Sequence, residues 1–238
     1  MSRLRFAIIV FVLTCAAPGV FPQTAPEPSA EVRQGRGSPP EPSAETRQGR
    51  GSPPDALIEY RQGNFNRAVQ ICREEIALNP SNLESHVVIC WSLVSLGRYD
   101  DALRYARTAR GLSRYDARVA EILGEIYYYM GNNTEALQYF QEYVNLAPSG
   151  ARIELVYYFM GEIYIRMGKF RHADISLSTA VHWLPGNAAW WTRLAFAREN
   201  AGDLTQSVTA YERALSLNPQ LADARRGLDR VRQALSTR

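Results

Sequence analysis

From Asp55 to the end of the chain, apolar residues recur three and four positions apart in short stretches, each pair of stretches divided by a glycine. Side chains with that spacing share one face of a helix, so the pattern predicts amphipathic helices joined in twos. The dividing glycines are Gly63, Gly97, Gly131, Gly168 and Gly202, a regular period of about 34 residues in which only the step from Gly131 to Gly168 is longer, by three positions. Pro80, Pro148, Pro185 and Pro219 each stand half a period after a turn glycine, where a second helix has to stop, and Arg114 occupies the equivalent place of the remaining unit. The first unit is short, because Pro53 and Pro54 leave only Asp55 to Arg61 ahead of its turn. The linker from Pro148 to Glu154 holds the three extra positions, which marks a place where the stack can bend.

The columns around the glycines explain how such a period packs. On the helix before each turn stand Ala56, Cys90, Gly124, Gly161 and Ala195 in register; on the helix after it stand Ala68, Ala102, Ala136, Ala173 and Ser207. Small residues on both helices let them approach closely. Large apolar groups fill the space between: Leu123, Met160 and Leu194 on first helices, Phe140, Leu177 and Tyr211 on second helices, and Phe65, Tyr99, Phe170 and Leu204 just past the turns. After Pro219, Leu221, Ala224, Leu228, Val231 and Leu235 fall on one helical face, with Arg225, Arg226, Asp229, Arg230 and Arg232 on the other, as suits a helix that caps a stack.

A period of this length built of helix, turn, helix and terminal proline, with small and bulky residues in these columns, resembles the tetratricopeptide repeat over Asp55 to about Pro219. The resemblance implies an all-α, right-handed α-solenoid of about five helix-turn-helix units, at about 55–82, 83–116, 117–150, 154–187 and 188–221, with a capping helix over 222–238. It also implies a concave channel, lined by the first helices, that takes an extended peptide or a helix. On that face the pattern places Val87, Trp91 and Val94, then Glu121, Glu125 and Tyr128, then Tyr158, Glu162 and Ile165, then Thr192, Phe196 and Glu199. The expected partner-binding residues are Trp91, Glu121, Glu125, Tyr128, Tyr158, Glu162, Phe196 and Glu199, an aromatic surface flanked by carboxylates that would receive basic groups. Packing against the neighbouring repeat is the competing role for Tyr158 and Phe196. The chaperone-binding members of the family hold a C-terminal carboxylate with lysine and asparagine here, and neither occurs at these twelve positions.

The chain ahead of Asp55 follows a different logic. Arg3 and Arg5 precede an apolar run from Phe6 to Leu13, then the small residues Cys15, Ala16 and Ala17, the composition of an export signal over about 1–22. The run is shorter than the roughly 20 residues a membrane span requires. Cleavage between Ala17 and Gln23 is the first expectation; lipidation at Cys15 is the alternative, although Val12, Leu13 and Thr14 make a poor lipobox. Residues 23–54 contain a tandem duplication, EPSAEVRQGRGSPP followed by EPSAETRQGRGSPP, whose Pro, Gly, Ser and charge cannot build a core, so a solvated linker is expected.

Composition narrows the function classes. With 46% hydrophobic residues the chain can bury a sizeable core, and its net charge of +3 is too small to argue for nucleic acid. Cys15, Cys72 and Cys90 match no zinc spacing, and His86, His172 and His182 are isolated and expected at the surface or half-buried. Cys72 and Cys90 lie on helices that abut in such solenoids; buried thiols are favoured over a disulfide. No nucleophile elbow, zinc-protease or phosphate-loop motif occurs, so no catalytic residue, metal or cofactor is assigned. The expectation is a non-enzymatic protein-interaction module exported to the bacterial periplasm or membrane-associated cell envelope, tethered through its N-terminus if Cys15 is lipidated. Six arginines around Arg107 (Arg98, Arg104, Arg107, Arg110, Arg114 and Arg118) supply the alternative, an anion- or membrane-surface-binding role. Oligomeric state is not legible.

Overall fold

The computed structural model describes residues 55–237. Among them run eleven helices: α1 (Ala56–Arg61), α2 (Phe65–Leu78), α3 (Leu83–Ser95), α4 (Tyr99–Leu112), α5 (Ala117–Tyr129), α6 (Asn133–Leu146), α7 (Ile153–Arg166), α8 (Phe170–Trp183), α9 (Ala188–Asn200), α10 (Leu204–Leu217) and α11 (Ala222–Ser236). No described residue lies in a strand. The fold is an all-α solenoid of helix-turn-helix units closed by α11. The export signal, Cys15 and the duplicated segment lie outside the described residues.

The starts and stops of these helices are written locally. Asp55, Asn82, Asp116 and Asn187 accept backbone N–H bonds from the first turns of α1, α3, α5 and α9, the usual work of a short polar side chain at a helix start. Each of these first helices, and α7, ends in a glycine with φ between 68° and 88°. The residue after the glycine then donates back across the turn, as in Arg98 N to Leu93 O at 2.8 Å and Lys169 N to Tyr164 O at 2.8 Å. Only glycine takes that left-handed backbone without steric cost, which is why the five glycines keep the sequence period.

Within a unit the small-residue columns permit contact that no side chain could share. A Cβ on Gly124 would lie 2.6 Å from the Phe140 ring, and one on Gly161 would lie 2.5 Å from Leu177 Cγ. Gly227 repeats the arrangement against Tyr211, so α11 docks by the same device. This modifies the expected capping face: Ala224, Gly227, Leu228 and Val231 are its buried residues, whereas Leu235 is exposed.

Two clusters of buried apolar residues form the core, one from Ala56 to Ile126 and one from Ala120 to Val231, with α5 contributing to both. Cys72 and Cys90 lie in the first as free, buried thiols, and Cys90 Sγ donates to Ala102 O at 3.5 Å. Burial pushes the Cys72 thiol up to about 12. His86 corrects its expectation: it is fully buried, with Nε2 3.0 Å from Pro80 O.

Candidate partner-binding face

Successive first helices touch one another directly, α1 to α3, α3 to α5, α5 to α7, α7 to α9 and α9 to α11, while second helices make no comparable contact with the next second helix. Closer spacing of one layer curves the stack, so the first helices form its inner, concave side. The residues assigned to that side from the sequence do share it, but they differ in what they offer a partner.

The carboxylates are the largest departure from expectation. Glu121, Glu125 and Glu162 are not exposed groups awaiting a basic partner; each is almost wholly buried and ion-paired within the chain. Arg152 Nε donates to Glu121 Oε1 at 2.8 Å, and its Nη2 lies 3.5 Å from Glu125 Oε2. Arg193 grips Glu162 with both nitrogens of its fork, at 2.6 and 2.9 Å. Glu199 receives Arg230 in the same way, at 2.5 and 2.8 Å, and also accepts from the Tyr211 hydroxyl at 2.9 Å. Burial opposes the charge of Arg152 and of Arg193, yet Glu121 and Glu125 around the first and Glu162 beside the second outweigh it and hold both guanidinium groups firmly protonated.

Helical periodicity alone gives these arginines no part in the face, although a signal for them exists. Glu121 and Arg152, Glu162 and Arg193, and Glu199 and Arg230 share one separation, 31 positions along the chain. That is a repeat length less about one turn, the offset at which a side chain on one first helix meets the next. A search for acid–base pairs near, rather than at, the repeat period would have found them.

The aromatic groups are also drawn into internal contacts. Trp91 is buried with its ring stacked on Tyr60, centroids 5.7 Å apart. Tyr128 is buried beneath the Arg166 guanidinium, which sits 4.0 Å from its ring centre, and burial followed by the nearby Glu162 pushes its hydroxyl pKa up. Tyr158 stacks on Trp190 at 4.8 Å and Phe196 packs edge-on against Phe170, but both stay half-buried, as do Ile165, Thr192 and Glu199. The accessible part of the face therefore lies on α7 and α9. Val87, Trp91 and Val94 are all buried, so α3 offers a partner little.

The arginine-rich unit is likewise mostly paired. Arg98 and Arg104 share Asp101, Arg110 meets Glu142 at 2.6 Å, and Arg118 is held by both Glu84 and Asp116. Arg107 donates to the Tyr127 hydroxyl at 3.4 Å. Among the described residues no group of three or more His, Cys, Asp or Glu is placed to hold a metal ion, and no helix is long and apolar enough to cross a membrane.

Comparison with known proteins agrees with this geometry. Tetratricopeptide-repeat family profiles match residues 91–151 and 189–221. Those two segments are tetratricopeptide repeats, and the fold of the described residues is that of a tetratricopeptide-type solenoid. Similar solved structures include the tetratricopeptide-type solenoids of MamA, at 20% identity and TM-score 0.60 over 70% of this chain and 90% of that one. PilW, described as a widely conserved type IV pilus biogenesis factor, matches at 18% identity and TM-score 0.64 over 76% of this chain and 83% of its own. YrrB, described as a tetratricopeptide-repeat protein with an unusual peptide-binding site, matches at 17% identity and TM-score 0.65 over 71% and 86%. At these identities the likeness carries the fold. No curated protein sequence matches the chain significantly.

Proposed function

We propose that this tetratricopeptide-repeat protein is a non-enzymatic adaptor or assembly factor of the bacterial cell envelope that binds a partner peptide or helix on its concave face. The observation that carries the reading is the half-buried patch of Tyr158, Ile165, Thr192, Phe196 and Glu199, an apolar and aromatic surface on two adjacent first helices. Its chemistry favours apolar anchors on the partner. Since the carboxylates of the face are satisfied internally, charge supplies less of the affinity than the sequence suggests, and salt should weaken the complex only modestly. The basic start, apolar run and small residues at the N-terminus support export, with Cys15 as the lipid-bearing alternative to simple release.

Capture from envelope extract tests the reading. Thr192→Arg should reduce partner recovery while leaving the thermal melt nearly unchanged, and Phe196→Ala should reduce recovery by more than its lowered melt explains, since it also loses packing on Phe170; undiminished recovery with both variants would move the binding surface elsewhere. N-terminal sequencing of the mature protein tests export, and an intact Met1 would remove the envelope assignment. The arginine-rich alternative is disfavoured by the four ion-paired arginines and predicts salt-sensitive binding to anionic vesicles.

A further inference from the structure

The ion pairs of the concave face are layered. In each the carboxylate is the inner member and the guanidinium the outer one: Glu162 is 5% exposed beneath Arg193 at 35%, and Glu199 is 14% exposed beneath Arg230 at 55%. Both arginines give the same edge of the fork, Nε and Nη2, to the acid, so that Nη1 is left over in each. Arg193 also lies against the apolar patch, its guanidinium carbon 5.3 Å from the centre of the Phe196 ring. On α7, Arg166 adds a cation with no carboxylate partner among the described residues; it rests on the Tyr128 ring and donates from Nη1 to Tyr128 O at 3.3 Å. The acids expected at this end of the face are therefore covered, and arginine N–H groups lie over them.

We propose that this end of the concave face recognises acidic side chains, the reverse of the basic partner that the sequence suggests: the partner segment sets Asp or Glu among its apolar anchors, and the outer N–H groups of Arg193 and Arg230 receive them. A hydrogen bond between a guanidinium and a carboxylate is charge-assisted and stronger than a neutral one. An arginine already held by one acid on its inner edge meets a second with little further loss of side-chain freedom, a cost that binding energy otherwise has to cover. Arg193 and Arg230 stand on α9 and α11, which touch, and two open arginines call for two carboxylates. A segment with acidic side chains provides two; a chain terminus brings one. Each guanidinium keeps its own carboxylate beneath it, so the field of the pair fades quickly and recognition works at contact, in agreement with a complex that salt weakens only modestly. Among Glu162, Glu199, Arg166, Arg193 and Arg230 one positive charge is in excess, the sign that favours such a partner. The inference rests on the concave-face reading and adds to it the sign of the partner's charge.

Peptide selection on the immobilised full chain tests the sign. The probes are N-acetylated, C-amidated peptides with Leu and Phe at alternate positions and Asp, Asn or Lys at all the others, and the readout is the ratio of Asp to Asn peptide retained. Asp peptides should be retained about tenfold over Asn peptides, with Lys peptides retained least. Arg230→Gln, which changes a mostly exposed side chain, should lower that ratio about threefold at a nearly unchanged melting temperature. Arg193→Lys, which keeps a cation beside Glu162 but loses the outer edge of the fork, should lower it too. The ratio compares two peptides on one protein, so a general loss of packing does not move it. A ratio near one, or Lys peptides retained above Asp peptides, would overturn the proposal while leaving the concave face as the binding surface. An Asp preference that survives both substitutions would place the acid-binding groups elsewhere and overturn it as well. Asn peptides that match Asp peptides once given a free C-terminal carboxylate would make a chain terminus the ligand and overturn the side-chain assignment. No retention of any peptide also overturns the inference, and only undiminished envelope capture by the Phe196 and Thr192 variants overturns the concave-face reading with it.

Discussion

The middle of the solenoid and its C-terminal end contain the same kind of ion pair in different surroundings. Glu121–Arg152, Glu162–Arg193 and Glu199–Arg230 share one sequence separation and join consecutive first helices, yet side-chain exposure rises along the chain from 2% and 14%, through 5% and 35%, to 14% and 55%. The middle pair members are covered by repeats on both sides, whereas Arg230 lies on the terminal helix with nothing beyond it among the described residues. A pattern repeated in sequence is therefore not repeated in energy. Removing one partner of a buried pair strands a charge out of water, while an exposed pair exchanges its contacts for water at little cost.

The sharpest way to break this comparison is Arg152→Ala, which leaves Glu121 and Glu125 buried without their arginine. It should cost about 3 to 5 kcal/mol, read as a fall in the urea midpoint at constant slope. Glu125→Lys and Glu162→Lys belong in the same class, since each sets a lysine against an arginine in a buried site. Gly161→Leu should follow at about 1 to 3 kcal/mol, because Leu177 already occupies the space and nearby side chains must leave their rotamers. Arg193→Ala should fall below Arg152→Ala, and Arg230→Ala should cost no more than about 1 kcal/mol. Equal losses for Arg152→Ala and Arg230→Ala would show that burial does not grade the three pairs.

The smallest effect near neutral pH concerns the other end of the molecule. The Cys72 thiol has its pKa raised by burial, first, and by Glu75 and Asp55, from 9.0 to about 12. A raised folded-state value means the contribution to stability is complete below pH 9 and is lost as pH rises from 9 through about 12. Cys90, Tyr128 and Tyr211 are shifted the same way by burial. The melting temperature should thus be flat from about pH 7 to 9 and decline above that range, and a thiol reagent should react with Cys72 and Cys90 only as fast as the N-terminal core opens. Rapid labelling of native protein at about pH 8 would contradict the burial of that core.

The repeat itself was legible without coordinates. A glycine at each turn is required by a backbone conformation, and a small residue at each crossing by the distance between two helices, so each leaves a mark at a fixed place in the sequence. Gly227 escaped notice because the last helix has no turn glycine behind it from which to count. The concave face was legible in membership but not in state. Whether Glu125 is open to a partner or sealed under Arg152 depends on the far end of the long linker, and whether Trp91 is an anchor or a wall depends on Tyr60 from a helix of six residues. Periodicity assigns a residue to a face; only the packed repeats decide whether that face meets water, because burial and pairing depend on groups brought together across separate helices.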